Sequence, residues 1–211
     1  MRILLMTLVA VFCIAPAAQA ASPARPEALP AALQKAIDAK DSEAALRHLE
    51  LERVIAGIFD ETLPQINESV KKGEITLNPA LAAVLGSFNS GNAVTRRTAS
   101  IFLNSEVRKL LVYGVESGSF AGAPLPEDER MMMDGGVFTK FGDVSLARKE
   151  FSSTRLLREE GNTALIQTRL YDYGVKRAYI LQLRLELVGG VWKITHINNA
   201  ADLYKELLKQ G

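Results

Sequence analysis

The chain has 211 residues, with 25 basic and 24 acidic side chains, so its formal net charge at pH 7 is +1. This balance excludes the strongly basic class of nucleic-acid-binding proteins, and it gives no reason to expect an anionic membrane surface as partner. Apolar residues make up 48% of the chain and charged residues 23%, which is typical of a globular protein. We therefore predict a folded protein without a nucleic-acid partner.

The first twenty residues have the three parts of a secretory signal peptide. Arg2 provides the positive start, residues 3–15 form an apolar run, and Ala18-Gln19-Ala20 is a small-residue cleavage site. The apolar run is short for a membrane span, which needs about 20 residues. We expect cleavage before Ala21, no stable membrane insertion afterwards, and a periplasmic or secreted protein. A retained membrane anchor is the alternative.

The single cysteine of the chain, Cys13, lies inside this leader. Cleavage would therefore leave a mature chain with no disulfide and no thiol chemistry. Lipid attachment at Cys13 is not expected, because Val11 and Phe12 occupy positions where a lipoprotein signal needs small residues. The absence of disulfides does not oppose export, since a domain of this size can be stable without them.

The first half of the mature chain has the periodicity of helices. Residues 21–30 are rich in Pro and Ala and are predicted to form a flexible linker. A single α+β domain is predicted over residues 31–211. Pro64 is expected to end or kink one of its helices, and a long helix is predicted over about residues 93–114. The clearest helical spacing is that of Leu51, Val54, Ile55, Ile58 and Phe59.

The last third of the chain changes to the two-residue period of strands. Gly189-Gly190 predicts a two-residue hairpin turn, and a closing helix is expected after Asn199. The predicted fold class is α+β, with N-terminal helices packed on a curved four-stranded antiparallel sheet and a C-terminal closing helix. The predicted strands cover about residues 146–158, 164–171, 179–188 and 191–197.

Two stretches of the sequence carry a family resemblance. Residues 36–41 read Ala-Ile-Asp-Ala-Lys-Asp and are followed by Leu46, Leu49 and the run Leu-Glu-Arg-Val at 51–54. Residues 187–195 form an apolar strand, a Gly-Gly turn and a Trp-Lys-Ile strand. Together these stretches resemble cystatin-like cone domains of the nuclear-transport-factor superfamily, in particular exported bacterial members with no assigned activity.

The resemblance implies a sheet wrapped around a cone-shaped interior. Members of this superfamily include dehydratases and isomerases that use buried Asp, His or Tyr in the cone. The helical part of this chain, from residue 28 to about 118, is longer than the usual cone domain has, and a closing helix is unusual there. By architecture alone, the chain also resembles periplasmic phospholipid-shuttle proteins.

His196 is the candidate acid or base for an enzymatic role. Simple alternation places it on one strand face with Trp192 and Ile194, so it could point into the cone. A strand-end histidine that is merely hydrogen-bonded or exposed is the alternative. His48, at the end of a short helix, would suit the helix dipole when charged. The candidate partner carboxylates for His196 are Asp172, Asp202 and Glu186.

A ligand-binding site is the second use that the residues allow. Tyrosines near a strand end could rim the mouth of a pocket. No metal or other cofactor is predicted, because two distant histidines make a poor ligand set and no glycine-rich phosphate loop is present. The candidate ligand-binding residues are Tyr171, Tyr179, Trp192 and His196.

Three functions are predicted, and the oligomeric state is left open. The first is an exported, non-catalytic binding or accessory domain that holds a small apolar ligand or a partner protein. The second is a dehydratase- or isomerase-type enzyme that uses His196. The third is a periplasmic lipid shuttle with a tunnel lined by Leu103, Leu110 or the methionines at 131–133. Arg96 and Arg97, at an unfavourable helix end for cations, mark either an acidic partner or a solvated face.

Overall fold

The computed structural model describes residues 25–75, 79–125 and 146–208, and within them it confirms the α+β fold class. The signal peptide and the methionines at 131–133 lie outside the described residues. The helices are α1 Leu29–Asp38, α2 Ser42–Arg47, α3 Leu51–Lys71, α4 Pro79–Asn89, α5 Ala93–Glu116 and α6 Ala200–Leu208. Short 3-10 turns cover Pro26–Ala28 and Ser119–Ala121. The strands are β1 Lys149–Glu160, β2 Thr163–Asp172, β3 Arg177–Val188 and β4 Val191–Ile197.

The four strands form one antiparallel sheet in the order β1-β2-β3-β4. The predicted Gly-Gly turn joins β3 to β4, and Gly189 and Gly190 have φ values of 59° and 80°. Positive φ at both central positions is the geometry of a type I′ turn, a favoured two-residue hairpin turn, and glycine adopts it without steric cost. The order of strands along the chain is therefore also their order in the sheet.

The start of the chain departs from the linker prediction. Residues 26–30 are helical and packed, and Leu29 has no solvent-accessible surface. Proline is favoured in the first turn of a helix, so Pro26 and Pro30 begin these elements instead of keeping the segment mobile. The prediction of a flexible linker over this described part is wrong.

Pro64 does not end the helix that contains it, because α3 continues to Lys71. The helix ends at the basic residues Lys71 and Lys72, and Gly73 follows them at a φ of 71°, a conformation common just after a helix. Packing of α3 against β4, α5 and α6 stabilises the helix that contains Pro64.

One face of the sheet, the inner face, packs against the helices and forms the main core. Its buried side chains from β2, β3 and β4 meet Leu29, Leu33 and Ile37 of α1. A second apolar cluster joins α3, α4 and α5, where the rings of Phe59 and Phe88 stack with centroids 4.8 Å apart. Among the described residues, no helix combines the length and apolar character that a membrane crossing requires. The buried inner-face residues are Ala164, Ile166, Leu183, Leu185, Trp192 and Ile194.

The two edges of the sheet are finished differently. Residues 48–50 run parallel to β4, with the Ile194 amide donating to the His48 carbonyl at 2.8 Å and the Glu50 amide donating to the Ile194 carbonyl at 2.9 Å. On the other edge, β1 contains two register irregularities and a positive φ at Ser153. Such irregularities hinder pairing with a further strand.

The closing helix α6 packs mainly against α3 instead of lying across the inner face. Asn199 immediately precedes α6, and its side chain forms hydrogen bonds with the backbone of β3. The Asn199 Oδ1 accepts from the Gln182 amide at 2.9 Å, and Nδ2 donates to the Ile180 carbonyl at 2.7 Å. Asn199 therefore pairs the part of β3 that lies beyond the end of β4.

Candidate binding surface on the outer face of the sheet

The outer face of the sheet is the side opposite α1 and the main core, and its side chains remain accessible. Side chains alternate along each strand, so every second residue points away from the core. None of these outer-face residues is buried, and Ile180 and Tyr173 are 44% and 43% exposed. The central outer-face residues are Glu150, Ser152 and Arg155 on β1, Leu165, Gln167, Arg169 and Tyr171 on β2, and Ile180, Gln182, Arg184 and Glu186 on β3.

Two tyrosines and two arginines form an ordered group at the end of β2. Tyr171 and Tyr173 pack edge to face, with ring centroids 4.7 Å apart. The Arg169 guanidinium lies 5.4 Å from the centroid of Tyr171, and that of Arg148 lies 5.0 Å from the centroid of Tyr173. The Tyr173 hydroxyl donates to Glu150 at 2.7 Å, a bond that raises the pKa of Tyr173. Both rings are thus already engaged by charged neighbours.

Three outer-face arginines, the arginine cluster, lie on three neighbouring strands: Arg155, Arg169 and Arg184. The register places Arg155 in one row with Gln167 and Gln182, and the other two arginines in the rows on either side. Strand spacing and the two-residue repeat put their Cα atoms roughly 8 to 14 Å apart. Among the residues that the structure describes, no carboxylate forms an ion pair with any of the three.

The carboxylates on this face are already occupied. Glu150 pairs with Arg148, Glu160 with Arg158, and Glu186 with Arg53. The last pair is bidentate, with both N–O distances at 2.7 Å, and the hydrogen bonds from Arg53 lower the pKa of Glu186. Arg184 adds to the lowering of the pKa of Glu186 through its charge, but the hydrogen bonds of this carboxylate go to Arg53.

The structure places His196 differently from the sequence prediction. Leu185 pairs with Ile194, but the next pair is Arg184 with His196, because a β-bulge inserts Thr195 into β4. Thr195 is buried and its hydroxyl donates to the Arg184 carbonyl at 3.3 Å. The bulge moves His196 to the opposite face from Ile194. The prediction that His196 shares a face with Trp192 is therefore wrong.

The neighbours of His196 come from α3 and not from the predicted carboxylates. Its ring lies against Gly57, and its Nε2 is 3.6 Å from a carboxylate oxygen of Glu61. The His196 side chain is 36% exposed. The three predicted partners lie elsewhere: Asp172 pairs with Lys149, Glu186 with Arg53, and Asp202 with Lys205.

Lys149 and Asp172 form a half-buried pair at the inner-face end of β1 and β2. The Lys149 Nζ lies 2.6 Å from Asp172 Oδ2, while Asp172 Oδ1 accepts from the Gly174 amide at 2.8 Å. Burial lowers the pKa of Lys149 although Asp172 acts in the opposite direction. Burial also raises the pKa of Tyr179 nearby, with a smaller contribution from Asp172.

The four predicted ligand-binding residues do not come together. Tyr171 lies on the outer face, whereas Tyr179 pairs with Leu170 and so lies on the inner face. Trp192 is 4% exposed on the inner face near the other end of β3, roughly 25 Å from Tyr179 at the rise of an extended strand. Trp192 is tied to His48, whose Nδ1 lies 3.2 Å from the Trp192 carbonyl oxygen.

Sequence reasoning missed the arginine cluster. Alternation along β2 and β3 shows that Gln167, Arg169 and Arg184 share a face, but it does not show which carboxylates reach that face. The decisive partner of Glu186 is Arg53, which is 133 positions away on α3. The signal that could have drawn attention to the surface is the presence of arginine on three consecutive strands.

Charge and hydrogen bonding make this surface suited to holding an anionic partner. Within the described ranges, no group of three His, Cys, Asp or Glu side chains is placed to hold a metal ion. Comparison of the chain with protein-family models, curated proteins and solved structures finds no match. The resemblance to cone domains therefore stays a prediction.

Proposed function

We propose that this chain is an exported, non-catalytic binding or accessory domain that engages a partner protein through the outer face of its sheet. The observation that carries the proposal is the arginine cluster, whose guanidinium groups are accessible and lack carboxylate partners among the described residues. Arginine and tyrosine are the residue types that contribute most to protein interfaces. Their concentration on one open face supports that role.

The tight packing of the inner face favours a partner protein over a small apolar ligand. Leu29, Ile166 and Leu185 have no solvent-accessible surface, so none of them borders a space of the size of a water molecule. An apolar ligand between sheet and helices would need such a space beside these residues. The outer face offers instead an exposed area that α3 reaches only beside β4, where it contacts Glu186 and His196.

The lipid-shuttle alternative depends on Leu103, Leu110 and the methionines at 131–133. Leu110 is half-buried on α5. Leu103 has no solvent-accessible surface and packs inside the second apolar cluster, which disfavours its role as a tunnel lining. The methionines at 131–133 lie outside the described residues.

The enzyme alternative depends on His196, and the geometry supports Glu61 as its carboxylate neighbour in place of the three predicted ones.

Export is part of the proposal and has its own test. Mass spectrometry of the protein from the extracytoplasmic fraction of its own cells should show a chain that begins at Ala21. A chain that retains the residues before Ala21, or one found with the cytoplasmic fraction, would contradict export.

Site-specific photo-crosslinking tests the binding role directly. In one variant, benzoylphenylalanine replaces Gln167 on the outer face. In two matched control variants it replaces Lys35 on α1 or Arg108 on α5, and all three variants are crosslinked in the producing cells. We expect one discrete adduct from position 167 and none from the two control positions. The yield of this adduct should fall when unmodified protein is added as a competitor. No adduct at any position, or equal adducts at all three, would contradict the proposal.

A further inference from the structure

We infer that the outer face binds an acidic, extended protein segment whose carboxylates pair with Arg155, Arg169 and Arg184. The inference rests on the proposed function, since it specifies the chemistry of the partner at the same surface. A guanidinium group presents a planar set of donors that matches a carboxylate in two parallel hydrogen bonds. Among the described residues, none of the three arginines has a carboxylate within ion-pair distance, so each can pair with a carboxylate of an acidic segment.

Two members of the cluster, Arg155 and Arg169, are held in position before any partner arrives. Arg155 donates to the side-chain oxygen of Gln167 at 3.0 Å, and Arg169 rests over the ring of Tyr171. Arg184 lies beside Glu186, which is already taken by Arg53. Guanidinium groups that are ordered in advance lose less side-chain entropy when they bind.

The spacing of the cluster fits an extended segment. Arg169 and Arg184 lie two rows apart on neighbouring strands, which corresponds to roughly 14 Å between their Cα atoms. Side chains on one side of an extended chain repeat about every 6.7 Å, so acidic residues at positions i and i+4 span about the same distance. Gln167 and Gln182 lie in the row between and offer amide groups to the middle of the segment.

The same geometry disfavours a single-stranded nucleic acid. Such ligands are held by bases that stack on free aromatic faces. Here Tyr171 and Tyr173 contact each other edge to face, and an arginine already lies over each ring. The basic groups therefore remain available for pairing, whereas the stacking platform is occupied.

Fluorescence anisotropy with a labelled decapeptide that carries glutamate at every second position tests the inference. The variant R155Q/R169Q/R184Q should raise its Kd at least about tenfold in low-salt buffer, because three charge-assisted contacts are removed. The matched control R96Q/R97Q/R108Q removes the same charge from exposed positions of α5 and should change the Kd less than about twofold. Far-UV circular dichroism verifies that both variants are folded.

A second measurement on the unaltered protein keeps the test independent of variant folding. In NMR titrations with the glutamate peptide, we expect the shifted amides and arginine side chains to map to the outer face. Shifts confined to α5, equal losses in both triple variants, or no binding at all would overturn the inference. Tighter binding of oligothymidylate or of phosphatidylglycerol vesicles at the same arginines would also overturn it, in favour of a nucleic-acid or membrane partner.

The two proposals fail separately. If crosslinking from position 167 gives a discrete adduct while the glutamate peptide does not bind, the partner surface stands and its acidic character is wrong. If the peptide binds at the arginines but no adduct forms in cells, the charge complementarity stands and the cellular binding role is wrong.

Discussion

The imidazole ring of His196 lies directly against the backbone of Gly57. A methyl group built on Gly57 would come within 2.2 Å of the His196 Cε1, closer than any real contact between such atoms. The absence of a side chain at this point of α3 lets the helix approach β4, and the bulge at Thr195 turns the histidine into the gap.

Replacing Gly57 by alanine should destabilise the protein by about 1 to 3 kcal/mol, because overpacking outweighs the gain in helix propensity. Chemical denaturation would measure the change in the free energy of unfolding. Gly86→Ala in α4 is the matched control, since nothing lies within 4 Å of the added methyl group, and it should stabilise by up to about 1 kcal/mol. In a His196→Ala background the cost of Gly57→Ala should largely disappear. An equal cost in both backgrounds would contradict the contact.

The ion pair between Arg53 and Glu186 should make stability depend on acidic pH. Because Arg53 lowers the pKa of Glu186 in the folded chain, the contribution is present above the unfolded pKa of about 4.3. It is lost as the pH falls through the lower, folded value. We expect Glu186→Gln to cost roughly 1 kcal/mol near pH 7 and nothing once both states are protonated.

Urea titrations of both proteins across this pH range, at low ionic strength, would measure the difference. Asp60→Asn is the control, because Asp60 is exposed on α3 and forms no ion pair among the described residues. A Glu186→Gln cost that stays constant at all acidic pH values would show that the pair contributes through packing alone.

Removal of Lys149, the cation beside Asp172, should destabilise the protein more than removal of a surface lysine. Lys149→Met would leave a carboxylate that is 11% exposed without its ammonium partner, and we expect a loss of about 1 to 3 kcal/mol. Lys35→Met, on the exposed side of α1, should stay within about 0.5 kcal/mol of the parent. Thermal or chemical unfolding gives both values. Equal effects of the two substitutions would contradict a structural role for the pair.

Asn199 should be needed for pairing of β3 beyond the end of β4. Asn199→Leu removes the side-chain acceptor of the Gln182 amide and the side-chain donor to the Ile180 carbonyl. We expect the free energy of unfolding to fall by about 1 to 3 kcal/mol. Hydrogen exchange at the Gln182 amide should also become faster. Asn198→Ala is the control: its side chain makes no hydrogen bond to the described residues, while its backbone amide still bonds to Gln182. Unchanged exchange at Gln182 in Asn199→Leu would contradict the assignment.

Much of the fold could be predicted from local signals. The alternation of β2 and β3 and the Gly-Gly turn predicted the hairpins, because a two-residue period and paired glycines act within a few positions. Asp41 could be predicted as a helix cap, and its side chain does accept from the Ala44 amide. Such features need no knowledge of distant parts of the chain.

The site could not be predicted in the same way. A single inserted residue at Thr195 changes the face on which His196 lies, and simple alternation contains no signal for a bulge. Whether an arginine is paired depends on carboxylates from other strands and on Arg53 of a distant helix. Residues 26–30 have the composition of a linker, but they pack against the rest of the domain because Leu29 is buried in the main core.

The parallel pairing of residues 48–50 with β4 sets the order in which the chain can complete its structure. Glu50 and Lys193 form an ion pair although they are 143 positions apart. Closing so long a loop is slow and must wait for the last strand. During synthesis, the N-terminal helices therefore lack their sheet partner until the final hairpin has been made. The pairing of residues 48–50 with β4 can form only after this last strand is available.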